Sequence, residues 1–462
     1  MAKKVQSIFV CQECGYESPK WMGRCICGAW GSFAEEKLLP EKEDSRRRTG
    51  TAGLSSGAGK AGIPVPLRDV KSSEKDRIHT GISEFDRVLG GGLVKGSLTL
   101  ISGEPGIGKS TLILQAAAHI AEHRGKVLYV SGEESGEQVR MRADRICGSL
   151  SPDLYILSET NIENIMVQCE SLNPVFMIID SIQTMYTSAL DSAPGSVSQV
   201  RESGAELMKA GKEKGIPVLI VAHVTKSGDL AGPKIVEHLV DTVLQFNGER
   251  SYNLRILRAL KNRFGTTNEI GAFEMGQAGL LPVENLSESM MEDMGEGSEG
   301  SVATAVYEGT RPLILEIQAL ATTTPAGFAR RQAIGVDGRR LNMITAVIER
   351  HAGVSLSNQD IYVNVVGGIR PEGTSCDLAV AMAIYSSFVR RLPPARTLVM
   401  GEIGLTGELR SIQYMDRILK EAERLGFDGI IMPEKNAVKI GSRSSLKIHG
   451  VSSIAHALKL LG

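Results

Sequence analysis

The chain has 462 residues, enough for about three domains by length alone, and its 52 Lys and Arg nearly balance 53 Asp and Glu. That balance excludes a global basic field for nucleic acid, and no apolar run is long enough to span a bilayer or, near Met1–Val10, to act as a signal peptide, which implies a cytoplasmic protein. Seven cysteines, an odd number gathered mainly at the N-terminus, exclude a disulfide framework and point to metal binding in a reducing compartment.

Residues 1–37 hold the doublets Cys11-Gln-Glu-Cys14 and Cys25-Ile-Cys27. Four thiolates at this spacing predict a closed, tetrahedral zinc site whose binding energy folds a segment too small for its own core. Trp21 and Trp30 are expected to pack that miniature core, with base stacking as the alternative. Residues 38–77 combine a charge run, Glu41–Arg48, with a Gly, Ala and Ser stretch, and read as a flexible linker.

Residues 78–275 alternate apolar strand-length runs with helical segments, which predicts a mainly parallel sheet covered on both faces. Ser97–Ser102 reads as a strand and Thr111–Ala118 as a helix. Between them Gly103-Glu104-Pro105-Gly106-Ile107-Gly108-Lys109-Ser110 fits the phosphate loop G-x-x-x-x-G-K-[ST]. Its glycines let backbone N–H groups turn onto phosphate oxygens at a helix N-terminus. Lys109 would reach the β- and γ-phosphates of ATP, and Ser110, beside Thr111, would hold Mg²⁺. Asp180, at the tip of Phe176–Ile179, suits the second Mg²⁺ contact. Glu133 and Glu134 follow the strand Lys126–Val130, and one of them would orient the attacking water. His223, after Pro217–Ala222, is placed to sense the γ-phosphate. The loops Thr184–Gln199 and Thr225–Lys234, the latter with Lys226 and Lys234, are expected to be flexible and suit contact with single-stranded DNA. The strand Asn253–Arg258 leads into Lys261-Asn-Arg263-Phe-Gly265, where two cations on one side of an extended segment suit a phosphate of DNA or of a neighbour's nucleotide.

These motifs resemble the bacterial RadA (Sms) family of RecA-like DNA repair ATPases. The resemblance rests on the four-Cys start with Gly15–Trp21, on His79–Gly92, Gly103–Ser110, Tyr129–Ser135 and Lys261–Gly265, and it covers nearly the whole chain. It implies a DNA-stimulated ATPase of homologous recombination that drives branch migration as a hexameric ring on single-stranded and branched DNA, beside a RecA-type recombinase in the nucleoid. Alignment of Tyr129–Ser135 with related hexameric motors places their catalytic glutamate at Glu133. The family spaces both cysteine doublets by two residues, whereas here the second is one shorter. An ATP-gated DNA loading factor without motor activity is the alternative, and an ATP-dependent protease a more distant one.

Residues 276–300, with Glu284, Glu288, Glu292, Asp293, Glu296 and Glu299 and no Lys or Arg, read as an acidic linker. Residues 301–462 read as a further α/β domain and resemble the proteolytic domain of Lon, whose Ser–Lys dyad needs an amine to activate the hydroxyl. Alignment puts Ser375 at or near the nucleophile but Asp416 at the lysine position. A carboxylate cannot replace that amine, so a domain without peptidase activity is expected. Arg330, Arg331, Arg339 and Arg340 are its candidates for DNA contact or ring assembly.

Overall fold

The computed structural model describes residues 6–11, 16–38, 66, 77–223, 233–248, 254–291, 297–308, 310–324, 329–368, 371, 373–441 and 443–461. The chain divides into two compact units, Met1–Phe246 with Leu260–Gly265 and Gln277–Gly279, and Asn247–Ala259 with Thr266–Gly276 and Leu280–Gly462.

The N-terminal segment is an antiparallel ribbon of β1 (Gln6–Cys11), β2 (Glu17–Ser18) and β3 (Phe33–Leu38) in the order β2-β1-β3. Its core is Cys11, Cys25 and Phe33, with Phe9 and Met22 against them. So few apolar groups cannot stabilise a fold unaided, which is consistent with a metal-dependent ribbon. The two tryptophans do not enter this core, contrary to expectation: Trp21 is 58% and Trp30 76% exposed. Phe33 and the thiols already fill the small interior.

The core that follows comprises β4 (Arg77–Ile78), α1 (Ser83–Leu89), β5 (Leu93–Val94), β6 (Leu98–Gly103), α2 (Lys109–His123), β7 (Val127–Ser131), α3 (Gly136–Ile146), β8 (Leu154–Ser158), α4 (Ile162–Leu172), β9 (Phe176–Asp180), α5 (Val197–Lys214), β10 (Val218–His223), α6 (Pro233–Leu239) and β11 (Thr242–Asn247). Strands β11-β6-β10-β9-β7-β8 lie side by side and run parallel. The apolar runs make this possible, because β6 and β7 are buried along their whole length, as a sheet covered on both faces requires. Leu100, Val130, Ile179 and Ile220 point to one face, where Ile165 of α4 and Leu207 of α5 cover them. Full burial of each such side chain stabilises by about 1.5–3 kcal/mol. α2 packs on β6, β7 and β9 with Leu112, Ile113, Ala116 and Ile120 buried. Local signals set the helix ends: Ser135 and Gln138 form a capping box on α3, and α5 runs from the cap Ser196 to Gly215 at φ 68°.

The second unit contains most of β12 (Leu254–Asn262), which pairs antiparallel with β13 (Ile270–Gly276), followed by β14 (Gly279–Pro282) and α7 (Leu286–Met291). The acidic stretch read as a linker therefore carries a strand and a short helix. The apolar side of α7 explains this: Leu286 is buried, and the Ser287 hydroxyl accepts the Ile314 N–H at 3.2 Å. Beyond it lie β15 (Ser301–Glu308), β16 (Arg311–Thr323), β17 (Arg331–Ile334), α8 (Gly338–Ala352), β18 (Gln359–Val365), α9 (Asp377–Val389), β19 (Thr397–Val399), the hairpin β20 (Glu402–Ile403) and β21 (Leu409–Arg410), α10 (Met415–Arg424), β22 (Gly429–Pro433), α11 (Glu434–Ile440), β23 (Lys447–Val451) and α12 (Ile454–Leu458). They form a seven-stranded mixed sheet in the order β17-β18-β16-β15-β19-β22-β23. Helix α9 is apolar nearly all round and buried with α8 and α12 on one face, while Ile418 and Leu419 of α10 pack on the other. Most of the predicted linker 38–77 lies outside the described residues. Among the described residues, no helix is long and apolar enough to cross a membrane.

Candidate active site

The phosphate loop joins β6 to α2, and its glycines answer local geometry. A Cβ at Gly103 would sit 2.7 Å from the Phe246 carbonyl, while Gly106 and Gly108 adopt φ of 78° and 117°, backbone that side chains disfavour. Gly106 faces open space, so the loop offers a cradle that fits a phosphate chain. Lys109 opens α2 and is buried. Its Nζ donates to the carbonyls of Gly103 at 2.8 Å and Glu104 at 3.0 Å, and lies 3.1 Å from His223 Nδ1. Burial lowers its pKa to about 8, against the opposing pull of Asp180, Glu133 and Glu104.

The ends of the neighbouring strands bring the remaining groups together. Register pairs His223 with Gly103 and Ser131 with Asp180. His223 Nε2 lies 3.5 Å from a Glu133 carboxylate oxygen, which also accepts the Ser181 hydroxyl at 2.5 Å. Burial, followed by the Lys109 charge, lowers the His223 pKa. Glu134 instead forms an ion pair with Arg142. Thus the two adjacent glutamates differ in what they face: Glu133 the Lys109–His223–Asp180 cluster, Glu134 an arginine of α3. The Asp180 carboxylate accepts the Tyr129 hydroxyl at 2.5 Å. Burial, then Asp180 itself, raises the Tyr129 pKa well above its usual value, so Tyr129 stays a donor. Tyr129 and Ser181 were not singled out from the sequence. The available signal was a tyrosine inside an otherwise apolar buried strand, whose hydroxyl must find a partner. Ser110, a hydroxyl in the first turn of α2, and Asp180, a carboxylate at the tip of β9, suit Mg²⁺ beside the cradle.

Lys261 and Arg263 stand at the opposite end of the same sheet, where β6 begins. Asp241 precedes β11, accepts the Leu98 N–H at 3.1 Å and donates its own N–H to the Leu98 carbonyl at 2.9 Å, so it lies where β6 begins. Arg263 bonds Asp241 twice, through its backbone N–H at 3.1 Å and through Nη1 at 3.2 Å. Lys261 Nζ donates to the carbonyls of Glu237 at 2.8 Å and Val240 at 2.7 Å, closing the C-terminal end of α6. The phosphate loop begins where β6 ends, roughly 17 Å away at about 3.3 Å per residue. Asn262 and Gly265 serve the turn itself. Asn262 Nδ2 bonds the carbonyls of Val88 and Leu89 at 3.3 Å, Arg77 bonds the Phe264 carbonyl at 2.7 Å, and a Cβ on Gly265 would meet Gly90 at 3.1 Å.

In the ribbon, the sulfurs of Cys11, Cys25 and Cys27 lie within 4.8 Å of one another, close enough to share an ion, and the shorter second doublet does not prevent this. Cys14 lies outside the described residues. The donor set suits zinc, and elemental analysis of protein purified without chelators is expected to find about one zinc per chain. Cys25→Ser protein should lose that metal yet keep ATP binding; full metal content in this variant would refute the site.

Other expected residues fare differently. The loop after Thr184 is tied down: the buried Gln199 amide bonds the Thr187 N–H at 2.8 Å and the Leu190 and Ser192 carbonyls at 3.3 and 3.0 Å, while Ser188, Ala189, Asp191 and Ala193–Gly195 are exposed. Lys226 lies outside the described residues, and of Lys234 only the backbone, in α6, is described. Arg340 pairs with buried Asp377 and bonds the Ile403 carbonyl at 3.1 Å, so it is a structural anchor and not a free cation. Arg331 Nη1 reaches Asn342 at 3.4 Å, while Arg339 is exposed. The Ser375 carbonyl accepts the Gly401 N–H at 2.9 Å, and Asp416 is exposed in the first turn of α10.

The parallel sheet, the phosphate loop and the acidic strand tips around it define a P-loop ATPase core of RecA-like type, between a zinc ribbon and a C-terminal Lon-protease-like domain. Family models agree: residues 9–35 match a rubredoxin metal binding domain, 64–229 an AAA domain, and 334–436 the subunit ChlI of Mg-chelatase. Over the full length the chain is 49% identical to the DNA repair protein RadA of Bacillus subtilis (99% of this chain, 98% of that one) and 48% to that of Halalkalibacterium halodurans (100% and 99%). It is 46% identical to the RadA of Streptococcus pyogenes serotype M6, with 99% of each chain covered. The chain belongs to the family of the DNA repair protein RadA, and it is a DNA repair ATPase.

Proposed function

We propose that the protein is a DNA-stimulated ATPase that assembles as a ring, hexameric by family resemblance, and drives branch migration of recombination intermediates alongside a RecA-type recombinase in the cytoplasm. The observation that carries this reading is the separation of Lys261 and Arg263 from the phosphate loop of their own chain. At the opposite end of the sheet they lie too far to serve their own nucleotide, so beyond their contacts with α6 and Asp241 they are placed for a neighbour's nucleotide or DNA, and a ring of copies would bring that end to the next phosphate loop.

Within one site, Lys109 exchanges its carbonyl partners for phosphate oxygens and neutralises charge as the γ-phosphoryl leaves. Ser110 and Asp180 would hold Mg²⁺, which when bound would supply positive charge against the phosphates. Tyr129 fixes the Asp180 carboxylate. Glu133 orients the attacking water, and its bonds to Ser181 and His223 link that step to the loops following β9 and β10. Arg263 of the neighbour supplies the last positive charge.

A three-strand branch-migration assay tests the motor. Branch movement should require hydrolysable ATP. Nucleotide-gated DNA binding with no branch movement would instead establish a loading factor.

The Lon-like domain contributes assembly or DNA contact in this reading, with no peptidase step. Ser375→Ala protein is expected to keep ATPase and branch-migration rates within about twofold of wild type, the range of ordinary surface changes. Specific labelling of Ser375 by an activity-based serine probe would reopen the protease reading.

A further inference from the structure

The chain has only two tryptophans, and both are displayed on the zinc ribbon. A soluble domain normally covers such rings, since each offers a large apolar area. Here Trp21 is 58%, Ile26 75% and Trp30 76% exposed.

The surrounding chain orders them. Arg24 and Trp30 form an antiparallel bridge, and the Gly31 N–H donates to the Gly23 carbonyl at 2.8 Å. The knuckle between is closed by Cys25 N–H to Ala29 at 2.8 Å and Gly28 N–H to Cys25 at 2.9 Å. The Trp21 ring lies 3.9 Å from the Cβ position of Gly23. The Arg24 guanidinium sits 5.7 Å from the centre of the Trp30 ring. Two indoles and a guanidinium thus share one small hairpin. Pro19–Ser32 adds Lys20 and contains no carboxylate.

We infer that this hairpin is a stacking platform for unpaired bases of single-stranded nucleic acid, with Trp21 and Trp30 as the faces and Lys20 and Arg24 as phosphate contacts. Flat rings bordered by cations and free of carboxylates match a polyanion that presents π-faces, and such stacking tolerates any base. A protein partner would need a wider apolar surface than Ile26 adds. In a duplex the bases are already stacked on one another and cannot use the platform. The inference rests on the reading of the protein as a DNA-acting ATPase.

Because both tryptophans lie in this hairpin, intrinsic fluorescence of the full-length protein reports it directly. Titration with a short oligothymidylate should quench emission with the same midpoint as the anisotropy of a fluorescein-labelled copy. A blunt duplex should quench little. The Trp21→Ala/Trp30→Ala protein should bind the oligonucleotide about fivefold or more weakly, while the double Phe variant keeps most of the affinity. Zinc content confirms that each variant's ribbon is intact, and basal ATPase should not change. Binding by anisotropy without quenching would overturn the platform, as would unaltered affinity in the alanine variant. Loss of recombinase binding with intact oligonucleotide affinity would make the hairpin a protein interface and likewise overturn it. If the wild-type protein bound no DNA at all, the proposed function would fall with it.

Discussion

Lys109→Ala protein is expected to lose ATP hydrolysis, by at least about 10²–10³-fold, the usual cost of removing one preorganised charge from a transition state. The side chain is buried at the start of α2 and already points at the loop carbonyls, so its charge is preorganised where the phosphates would lie. Asp180→Ala should act similarly through Mg²⁺, and Tyr129→Phe should raise the Mg²⁺ concentration needed for half-maximal rate before it lowers the maximal rate. Near-wild-type turnover by Lys109→Ala would remove the basis of the motor. The same lysine predicts a pH dependence. With a pKa of about 8 in the free protein, Lys109 is partly neutral above that pH. Bound phosphates stabilise the charged amine and raise its pKa, so the complex holds more protons than the free site. ATP affinity should therefore be flat below about pH 7 and fall above pH 8, approaching tenfold per pH unit. Calorimetric titrations from pH 7 to 9 read this directly, and a constant affinity would show that Lys109 stays charged across this range before ATP binds.

Arg263→Ala protein is expected to assemble and bind ATP but to lose DNA-stimulated hydrolysis and branch migration, with a loss in the range of about 10³–10⁵-fold known for arginine fingers. The fold should survive. Arg263 is largely exposed, and the buried Asp241 carboxylate keeps its bond from the Leu98 N–H when the guanidinium is removed. Lys261→Ala should add a modest loss of stability, because its amine closes the end of α6. The decisive measurement mixes Arg263→Ala with Lys109→Ala protein. Each is inactive alone, but a ring containing both has interfaces that join an intact Lys109 to an intact Arg263. Partial recovery of ATPase establishes action in trans. Absence of recovery despite demonstrated subunit exchange would place Arg263 on DNA, and weaker DNA binding with unaltered basal ATPase would say the same.

The nucleotide site was legible in the sequence because it is local. Strand, glycine loop and helix are consecutive from Leu98 to His123, and each acidic group follows an apolar run, so periodicity and spacing suffice to place Lys109 at the helix start and Asp180 and Glu133 at or just beyond strand ends. The cysteine doublets were legible for the same reason. The tertiary structure decided what depends on distant partners. Only strand register shows that Glu133, and not Glu134, meets His223 and Ser181, since those contacts span 90 and 48 positions (223 − 133, and 48 as separated in the chain). Only the pairing of Asp241 with Leu98 shows that Lys261 and Arg263 lie at the end of the sheet away from their own phosphate loop. The sequence likewise could not tell that Gln199 ties down a loop, that α7 folds within an acidic stretch, or that Trp21 and Trp30 face solvent. An amino acid's type sets what it can bond or bury, but the fold sets which partners come within reach.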